Sequence, residues 1–175
     1  MEATLKILNE VVRKGILKTY AIGGGVGAIF YMEPVLTYDL DVFVFLQKEP
    51  AGLVTLSPIY EYLRKKGCAV QQEHVLIAGV PVQLIPAYND LVEEAVREAR
   101  ARRYRRTTTR VLRVEYLLAI MIQTGRPKDK VRVAQLLEEA TVNRGYLEKV
   151  LARHGLREKW DEFTRGFYGT KGPSR

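Results

Sequence analysis

The chain has 175 residues, 47% of them hydrophobic, and carries a formal net charge of +8 at pH 7. This length predicts one domain, or one domain with a small appendage, large enough to be stable without disulfides. Because Cys68 is the single cysteine, no apolar run approaches the length of a membrane span and the N-terminus lacks the pattern of a secretory signal, we expect a cytoplasmic protein without membrane contact.

The first 46 residues predict a helix, a strand, a glycine turn, a second helix and a second strand. Apolar residues at helical spacing predict the first helix over 5–17. A strand over 19–22 leads into the glycine turn, and a short helix over 26–31 stops before Pro34. The second strand is predicted over 37–46, and its apolar run indicates a central strand covered on both faces.

Two features of this unit point to phosphate chemistry. Asp39 and Asp41 are two positions apart on the predicted strand, so their side chains should share a face. Such carboxylates repel unless a divalent cation lies between them, and hard oxygen ligands suit Mg²⁺ that carries a phosphate. The glycine turn lets backbone N–H groups approach an anion closely. Each motif alone is also compatible with a tight turn or a solvated strand end, so the prediction depends on their combination.

The middle of the chain predicts an extension of the sheet followed by a helix. Turn residues and apolar periodicity give these elements: a loop over 52–58, a helix over 59–66, strands over 68–77 and 80–85 joined at Ala78-Gly79, a helix over 91–102 and a short strand or extended connector over 107–112. Asn89 or Asp90 is a suitable N-cap for the second helix.

The positive charge is confined to the C-terminal half of the chain. The first ninety residues hold 8 Lys and Arg against 9 Asp and Glu, whereas the remainder holds 20 against 11. Eight arginines occur between Arg97 and Arg113. A basic surface of this kind suits the phosphates of RNA, another nucleic acid or a nucleotide. The alternative is a solvated helix face whose arginines pair in part with the glutamates at 93, 94 and 98.

The last third of the chain is predicted to be helical. Apolar periodicity gives helices over 114–124, 128–139, 144–153 and 156–167. We therefore expect an α+β protein with an α/β core over 1–112, a C-terminal helical region over 113–168 packed on that core, and a frayed tail over 169–175.

The glycine turn and the aspartate pair resemble a known signature. Residues 22–28, followed by Pro34, Thr37, Asp39 and Asp41, resemble the Gly-Gly … Pro-x-x-Thr-x-Asp-x-Asp motif of small nucleotidyltransferase-fold proteins in the DNA polymerase beta superfamily. Segments 86–95, 111–117 and 125–129 look like later parts of uncharacterised prokaryotic members related to abortive-infection type toxins. The resemblance covers roughly residues 20–137.

The resemblance implies a nucleotidyltransferase-like mixed β-sheet with flanking helices and a metal-dependent site at one strand end. There, a nucleoside monophosphate would pass from a nucleoside triphosphate (NTP) to a hydroxyl group of RNA or protein, with Asp39 and Asp41 binding two Mg²⁺ or Mn²⁺ ions. The residues implied to bind the nucleotide are Gly24, Gly25, Thr37, Arg126 and Lys128. For the last two, the alternative is an ordinary helix-to-helix turn with Asp129 near a helix start.

The sequence departs from the family pattern at three positions. Active members carry a third carboxylate on a later strand, and Gln83 occupies that position here. An amide adds no charge and cannot act as a base at neutral pH. Glu73 would replace the missing carboxylate if the hairpin register placed it beside Asp41. Val35 and Met121 stand where the family usually has cations.

Three functions are therefore compatible with the sequence. The first is an active metal-dependent nucleotidyltransferase. The second is a catalytically impaired member of the same fold that binds a nucleotide or a nucleic acid. The third is an oligomeric scaffold without a nucleotide role. The sequence does not choose the NTP, the acceptor or the oligomeric state.

Overall fold

The structure is a computed structural model that describes residues 1–34, 36–46 and 55–169. Seven strands form one sheet: β1 Thr19–Ile22, β2 Leu40–Phe45, β3 Ala69–Gln71, β4 His74–Ile77, β5 Val80–Pro86, β6 Arg100–Tyr104 and β7 Thr107–Val111. Eight helices surround the sheet in the described ranges: α1 Glu2–Arg13, α2 Gly24–Ala28, α3 Ser57–Lys65, α4 Asp90–Arg97, α5 Val114–Thr124, α6 Pro127–Glu139, α7 Arg144–Arg153 and α8 Arg157–Tyr168.

The sheet is mixed, with the strand order β3-β4-β5-β2-β1-β7-β6. β2 runs antiparallel to β1 and parallel to β5, and β1 runs parallel to β7. Two antiparallel units flank this centre, the meander β3-β4-β5 and the hairpin β6-β7. The predicted α+β class and the central position of the second strand are confirmed, because β2 has strand neighbours on both sides and apolar clusters on both faces.

The two faces of the sheet bury different sets of helices. On one face, Leu40, Val42 and Val44 of β2 pack in a cluster with the apolar residues of α1 and α3. On the other face, Phe43 packs in a cluster built from α4 to α8. α5 lies at the centre of this second cluster, and every one of its residues from Val114 to Ile122 is buried. Since side chains alternate along a strand, Asp41 is on the α5 face with Phe43.

The predicted helix over 91–102 is wrong in its second half, because α4 ends at Arg97 and residues 100–104 form β6. Arginine and alanine favour a helix, so the local sequence gave no reason to expect a strand. Tertiary contacts override that preference. The guanidinium group of Arg110 on β7 donates hydrogen bonds to the carbonyl groups of Val96 and Arg97, and β7 provides the ladder for β6.

The predicted strand over 68–77 is in fact two strands, β3 and β4, separated by a tight turn. Gln72 adopts a positive φ of 51° in this turn, and Glu73 is the next residue. Glu73 therefore lies in a turn and not on a strand. The strand predicted over 37–46 begins only at Leu40, where pairing with Val82 of β5 starts, so Thr37 and Asp39 precede it.

The helical predictions for the C-terminal region are confirmed, with 114–124 and 144–153 matched at both ends. Both ends of α1 lie three or four residues earlier than predicted, since the helix covers Glu2–Arg13 and not 5–17. α2 begins at Gly24, within the predicted glycine turn. In the described ranges, no helix combines the length and the apolar character needed to cross a membrane. The predicted tail after Gly169, Val35 and residues 52–54 of the predicted loop over 52–58 lie outside the described residues. The end of that loop prediction is wrong, because α3 already begins at Ser57.

Candidate active site

The glycine turn packs directly against the aspartate strand. The Gly23 N–H donates to the backbone carbonyl of Asp41 at 3.0 Å and joins the end of β1 to the start of β2. Gly24 has a positive φ of 54°, and a Cβ atom at this position would overlap the Oδ2 atom of Asp41. A side chain at position 24 would therefore meet both backbone strain and a steric clash. Glycine is required here because the Asp41 carboxylate lies against the backbone.

The two aspartates lie close enough to influence each other. Asp41 is on β2, whereas Asp39 precedes the strand and its side chain is 36% exposed. Burial raises the pKa of Asp41, and the negative charge of Asp39 raises this pKa further. The positive charges of Arg126, Lys128 and Arg132 act in the opposite direction. The site thus combines two repelling carboxylates with a set of nearby cations.

Thr37, in the segment before β2, and Arg132, on α6, both lie close to the glycine turn. A Cβ atom at Gly25 would lie 2.9 Å from Thr37 Oγ1 and 3.0 Å from Arg132 Nη2. Thr37 Oγ1 also donates to the backbone carbonyl of Asp39 at 3.4 Å. Sequence reasoning missed Arg132. Its one available signal was its position on α6, one helical turn after Lys128.

The turn between α5 and α6 is organised by a buried carboxylate. Asp129 is 1% exposed and accepts hydrogen bonds from Thr124 Oγ1 at 2.8 Å and from Arg126 Nε at 2.6 Å. Arg132 Nη1 lies 3.9 Å from Asp129 Oδ1. The hydrogen bond from Arg126 to Asp129, and then the charges of Asp129 and Asp41, raise the pKa of Arg126. Asp129 therefore holds two guanidinium groups that face Asp41.

Arg126 and Lys128 lie near enough to Asp41 to lower its pKa by their charge, and Arg126 lines the same cavity as that carboxylate. The alternative interpretation also describes the local backbone, since Arg126 is the N-cap residue of α6 and Pro127 is its first residue. The two interpretations are compatible, because the turn between two helices carries these cations toward the start of β2. The role of both residues in nucleotide binding stays a prediction.

The position of the third carboxylate is occupied by a neutral residue. Gln83 pairs with Asp41 in the parallel ladder between β5 and β2. The Gln83 Nε2 group donates to Glu73 Oε2 at 3.4 Å, so Glu73 contacts the amide from the β3–β4 turn. His74, which sequence reasoning did not place here, pairs with Gln83 and has its Nε2 atom 3.6 Å from Asp39 Oδ2. The hairpin register was the signal that could have located His74.

A small cavity of about 210 Å³ adjoins Asp41. Its polar lining consists of Asp41, Gln83, Thr124, Arg126 and Asp129, and Gly24 also borders it. Its apolar lining consists of Phe43, Ile85, Leu112, Leu117, Ile120 and Met121. Tyr88 also lines the cavity and is 56% exposed. Met121, which stands where the family usually has a lysine, thus adds to the apolar part of the lining.

The residues at this site fit one divalent cation that takes the rest of its ligands from water and substrate. The described residues contain no group of three or more His, Cys, Asp or Glu side chains arranged to hold a metal ion. Asp39 and Asp41 supply hard carboxylate oxygens, and the missing Cβ of Gly24 leaves room for the Asp41 Oδ2 atom. Mg²⁺ typically binds one or two carboxylates and completes its octahedron with water and substrate phosphates. A second ion would have no further carboxylate of its own at this position, because Gln83 is neutral.

The remaining predicted residues, the arginines from Arg97 to Arg113, do not line the cavity at Asp41. Most of them lie on the β6–β7 hairpin, whose strands are two (β7) and three (β6) positions from β2 in the sheet.

Comparison with known proteins identifies the fold. No protein-family model matches the chain, and no curated protein matches its sequence. An antigenic nucleotidyltransferase-like protein from Paracoccidioides brasiliensis shares 13% identity, with a TM-score of 0.55 over 92% of this chain and 91% of that chain. ANT(2″)-Ia in complex with adenylyl-2″-tobramycin shares 14% identity, with a TM-score of 0.54 over 89% and 98%. The solution structure of the antibiotic-resistance factor ANT(2″)-Ia shares 15%, with a TM-score of 0.55 over 93% and 97%.

The predicted nucleotidyltransferase-like fold is therefore confirmed. The relation to abortive-infection type toxins stays a prediction, because these structural neighbours are of other kinds.

Proposed function

We propose that the protein transfers a nucleoside monophosphate from an NTP to a hydroxyl group of an acceptor, RNA or protein. The observation that carries this proposal is the contact between the Asp41 carboxylate and Gly24, with Asp39 beside it and three cationic side chains around it. This arrangement pairs a cation-binding group with a phosphate-binding group, as phosphoryl chemistry requires.

Each part of the site has a role in binding the nucleotide. The backbone of Gly24 and Gly25 contacts phosphate oxygens, and the guanidinium group of Arg132 reaches the same turn. Arg126 and Lys128 offset the negative charge of the triphosphate. The largely apolar cavity beside Asp41 accepts the base or the ribose, with Tyr88 in its lining. Asp129 positions Arg126 and Arg132.

The reaction joins the acceptor oxygen to the α-phosphorus of the NTP. The bond from that phosphorus to the bridging oxygen of the β-phosphate breaks, pyrophosphate leaves, and the hydroxyl proton passes to water. A bound Mg²⁺ or Mn²⁺ ion would polarise the phosphate and stabilise the charge that develops on it. Asp39 and Asp41 would hold the ion, while the arginines stabilise the leaving pyrophosphate.

Incorporation of label from α-labelled NTPs into an RNA pool and a protein pool tests this function. We expect Mg²⁺- or Mn²⁺-dependent incorporation that falls at least ~100-fold in Asp39→Asn and Asp41→Asn, because the metal contributes several kcal/mol to the barrier. Asp161→Asn on α8 removes an exposed carboxylate elsewhere and should retain full activity. No incorporation with any of the four nucleotides would contradict catalysis.

A second candidate is a catalytically impaired protein that binds nucleotide without turnover. Gln83 favours it, because this amide faces Asp41 in the ladder and is engaged by Glu73. Thermal shift separates the candidates from a scaffold, since a ligand bound only by the folded state raises its stability. A shift with NTP and Mg²⁺ but no incorporation would identify the binding module, and incorporation gained in Gln83→Asp would attribute the loss to this position.

A further inference from the structure

The arginines between Arg97 and Arg113 divide into two sets by their contacts. Three of them have structural roles. Arg97 pairs with Glu93 at 3.7 Å, Arg110 donates to backbone carbonyl groups at the end of α4, and Arg113 Nε lies 3.2 Å from Glu115 Oε2. The predicted pairing with glutamates on a helix face therefore holds for Arg97, whereas Glu94 binds Arg153 and His154.

The other five arginines are exposed and have no acidic partner among the described residues. They lie on β6 and in its turn: Arg100, Arg102, Arg103, Arg105 and Arg106. Two of them are held by aromatic rings, since the Arg102 guanidinium lies 5.5 Å from the Tyr31 ring centre and that of Arg105 lies 6.0 Å from the Tyr104 ring centre. A ring fixes a guanidinium group without cancelling its charge. This hairpin surface is thus positive, with two of its charges placed against aromatic rings.

A polar cavity of about 200 Å³ lies at the N-terminal end of β6, where Arg100 begins the strand. It is lined by Arg100, Arg102 and Arg113, with Tyr31 and the buried Glu115. Glu115 is already engaged, because it accepts hydrogen bonds from Arg113 and from the Asn143 N–H at 3.1 Å. The cavity therefore presents guanidinium groups of Arg100 and Arg102 that have no carboxylate partner in the part of the chain that the structure describes.

The strand register places this cavity on the same end of the sheet as the aspartates. Arg100 pairs with Val111, Val111 with Ile22, and Ile22 with Val42, the residue after Asp41. Three steps between neighbouring strands span roughly 14 Å. A ligand longer than one phosphate group can therefore contact the arginine cavity and the candidate active site together.

We infer that the β6–β7 hairpin and its arginine cavity bind the phosphodiester backbone of a single-stranded nucleic acid. Guanidinium groups match phosphate oxygens in charge and geometry, and a basic groove with aromatic rings is typical of single-strand binding. Five arginines spread along a strand and a turn exceed what one phosphate requires. A strand bound there would lead its hydroxyl groups toward Asp41, and this acceptor role, unlike the binding itself, rests on the proposed function.

Fluorescence anisotropy with a labelled 12-nucleotide single-stranded RNA, in EDTA and without NTP, tests the binding. The key variant is Arg100→Gln/Arg102→Gln, and the matched control is Arg64→Gln/Lys65→Gln, which removes two exposed charges from α3. We expect the hairpin variant to bind at least tenfold more weakly at 100 mM salt, and the control to bind like the wild type. The slope of log K against log salt should become less negative by about 1.4, at about 0.7 per lost phosphate contact on a single strand.

Three results would overturn the inference: unchanged affinity in the hairpin variant, equal weakening in both variants, or displacement of the RNA by inorganic phosphate at the same phosphate concentration. The last would indicate a single-anion site. Asp39→Asn/Asp41→Asn should keep its RNA affinity, so a failure of NTP binding or turnover would leave this result standing. Circular dichroism confirms that each variant is folded.

Discussion

Gly24 and Asp41 form a contact in which each residue restricts its partner. In Gly24→Ala, the left-handed backbone costs about 1–2 kcal/mol, and the new methyl group displaces the Asp41 carboxylate. We therefore expect lower stability in chemical denaturation and no thermal shift with NTP and Mg²⁺.

Gly67→Ala is the matched control for that substitution. Gly67 has a φ of 80°, and a Cβ atom there would have nothing within 4 Å. This variant should lose a similar free energy of unfolding but keep the nucleotide-dependent shift. If both variants kept the shift, the position of Asp41 would not depend on Gly24.

Asp41 should destabilise the folded chain when no cation is bound. Its pKa is raised by burial and by Asp39, so its ionisation is harder in the folded state than in the unfolded state. Stability is then lost as pH rises through the folded pKa. We expect Asp41→Asn without divalent ions at pH 7 to raise Tm by about 2–4 °C, which corresponds to ~1 kcal/mol in a domain of this size.

The pH dependence of that gain checks its cause. Below the unfolded pKa, near the ordinary value of 3.8, Asp41 is protonated in both states and the advantage of Asn should disappear. Asp161→Asn should show no gain at either pH. A gain that persisted at pH 3 would indicate a packing effect instead of a charge effect.

Residues with a local motif could be predicted, and residues without one could not. Asp39, Asp41 and the glycines are close in sequence, and their spacing alone predicts their proximity. Arg132 and His74 reach the site through α6 and the β4–β5 register, which are tertiary features. The prediction therefore included the two aspartates and the glycine backbone, and Arg126 and Lys128 among the cations. It did not include Arg132 or His74.

At the scale of elements, Glu94 joins three helices. It lies on α4, accepts a hydrogen bond from Tyr116 of α5 at 2.7 Å, and contacts Arg153 and His154 at the end of α7. Burial alone would raise the pKa of Glu94, but the hydrogen bonds and charges of these partners lower it overall. A lowered carboxyl pKa contributes stability above the unfolded value near 4.5 and loses it as pH falls through the folded pKa.

We expect Glu94→Gln to lower the free energy of unfolding by about 1–3 kcal/mol at pH 7, because the buried Tyr116 and the largely buried His154 lose a charged acceptor. In guanidinium titrations between pH 7 and pH 3, the difference from wild type should shrink with acidification. Glu148→Gln, on the exposed side of α7, should match the wild type throughout. A difference that grew at low pH would contradict the assigned role of Glu94.

Element type was predictable where the pattern was long and periodic. α5 and α7 have the predicted bounds, since their apolar spacing extends over three turns. The strand β6 was missed because four of its five residues are arginine or alanine, which are good helix formers. Only its pairing with β7 makes it a strand. Short elements of this kind are specified by partners that lie elsewhere in the chain.

At the scale of the whole molecule, α5 makes the C-terminal helices inseparable from the sheet. It is buried from Val114 to Ile122 and packs with residues of β2, α4, α6 and α7 in one cluster. We therefore expect a chain cut after residue 112 to remain unfolded or collapsed, with strong binding of a hydrophobic dye, whereas a chain ending at residue 169 keeps one cooperative transition. A cooperative 1–112 fragment would show that the core is independent.

The two outer strands of the sheet differ in how they resist further pairing. β3 has only three residues, whereas β6 has five and, within the described residues, pairs only with β7. Charged side chains on such an edge discourage a second copy from adding to the sheet. The arginines of β6 thus act against self-association as long as their charge is uncompensated. A bound polyanion would remove that repulsion, so nucleic-acid binding and self-association through this edge should be thermodynamically linked.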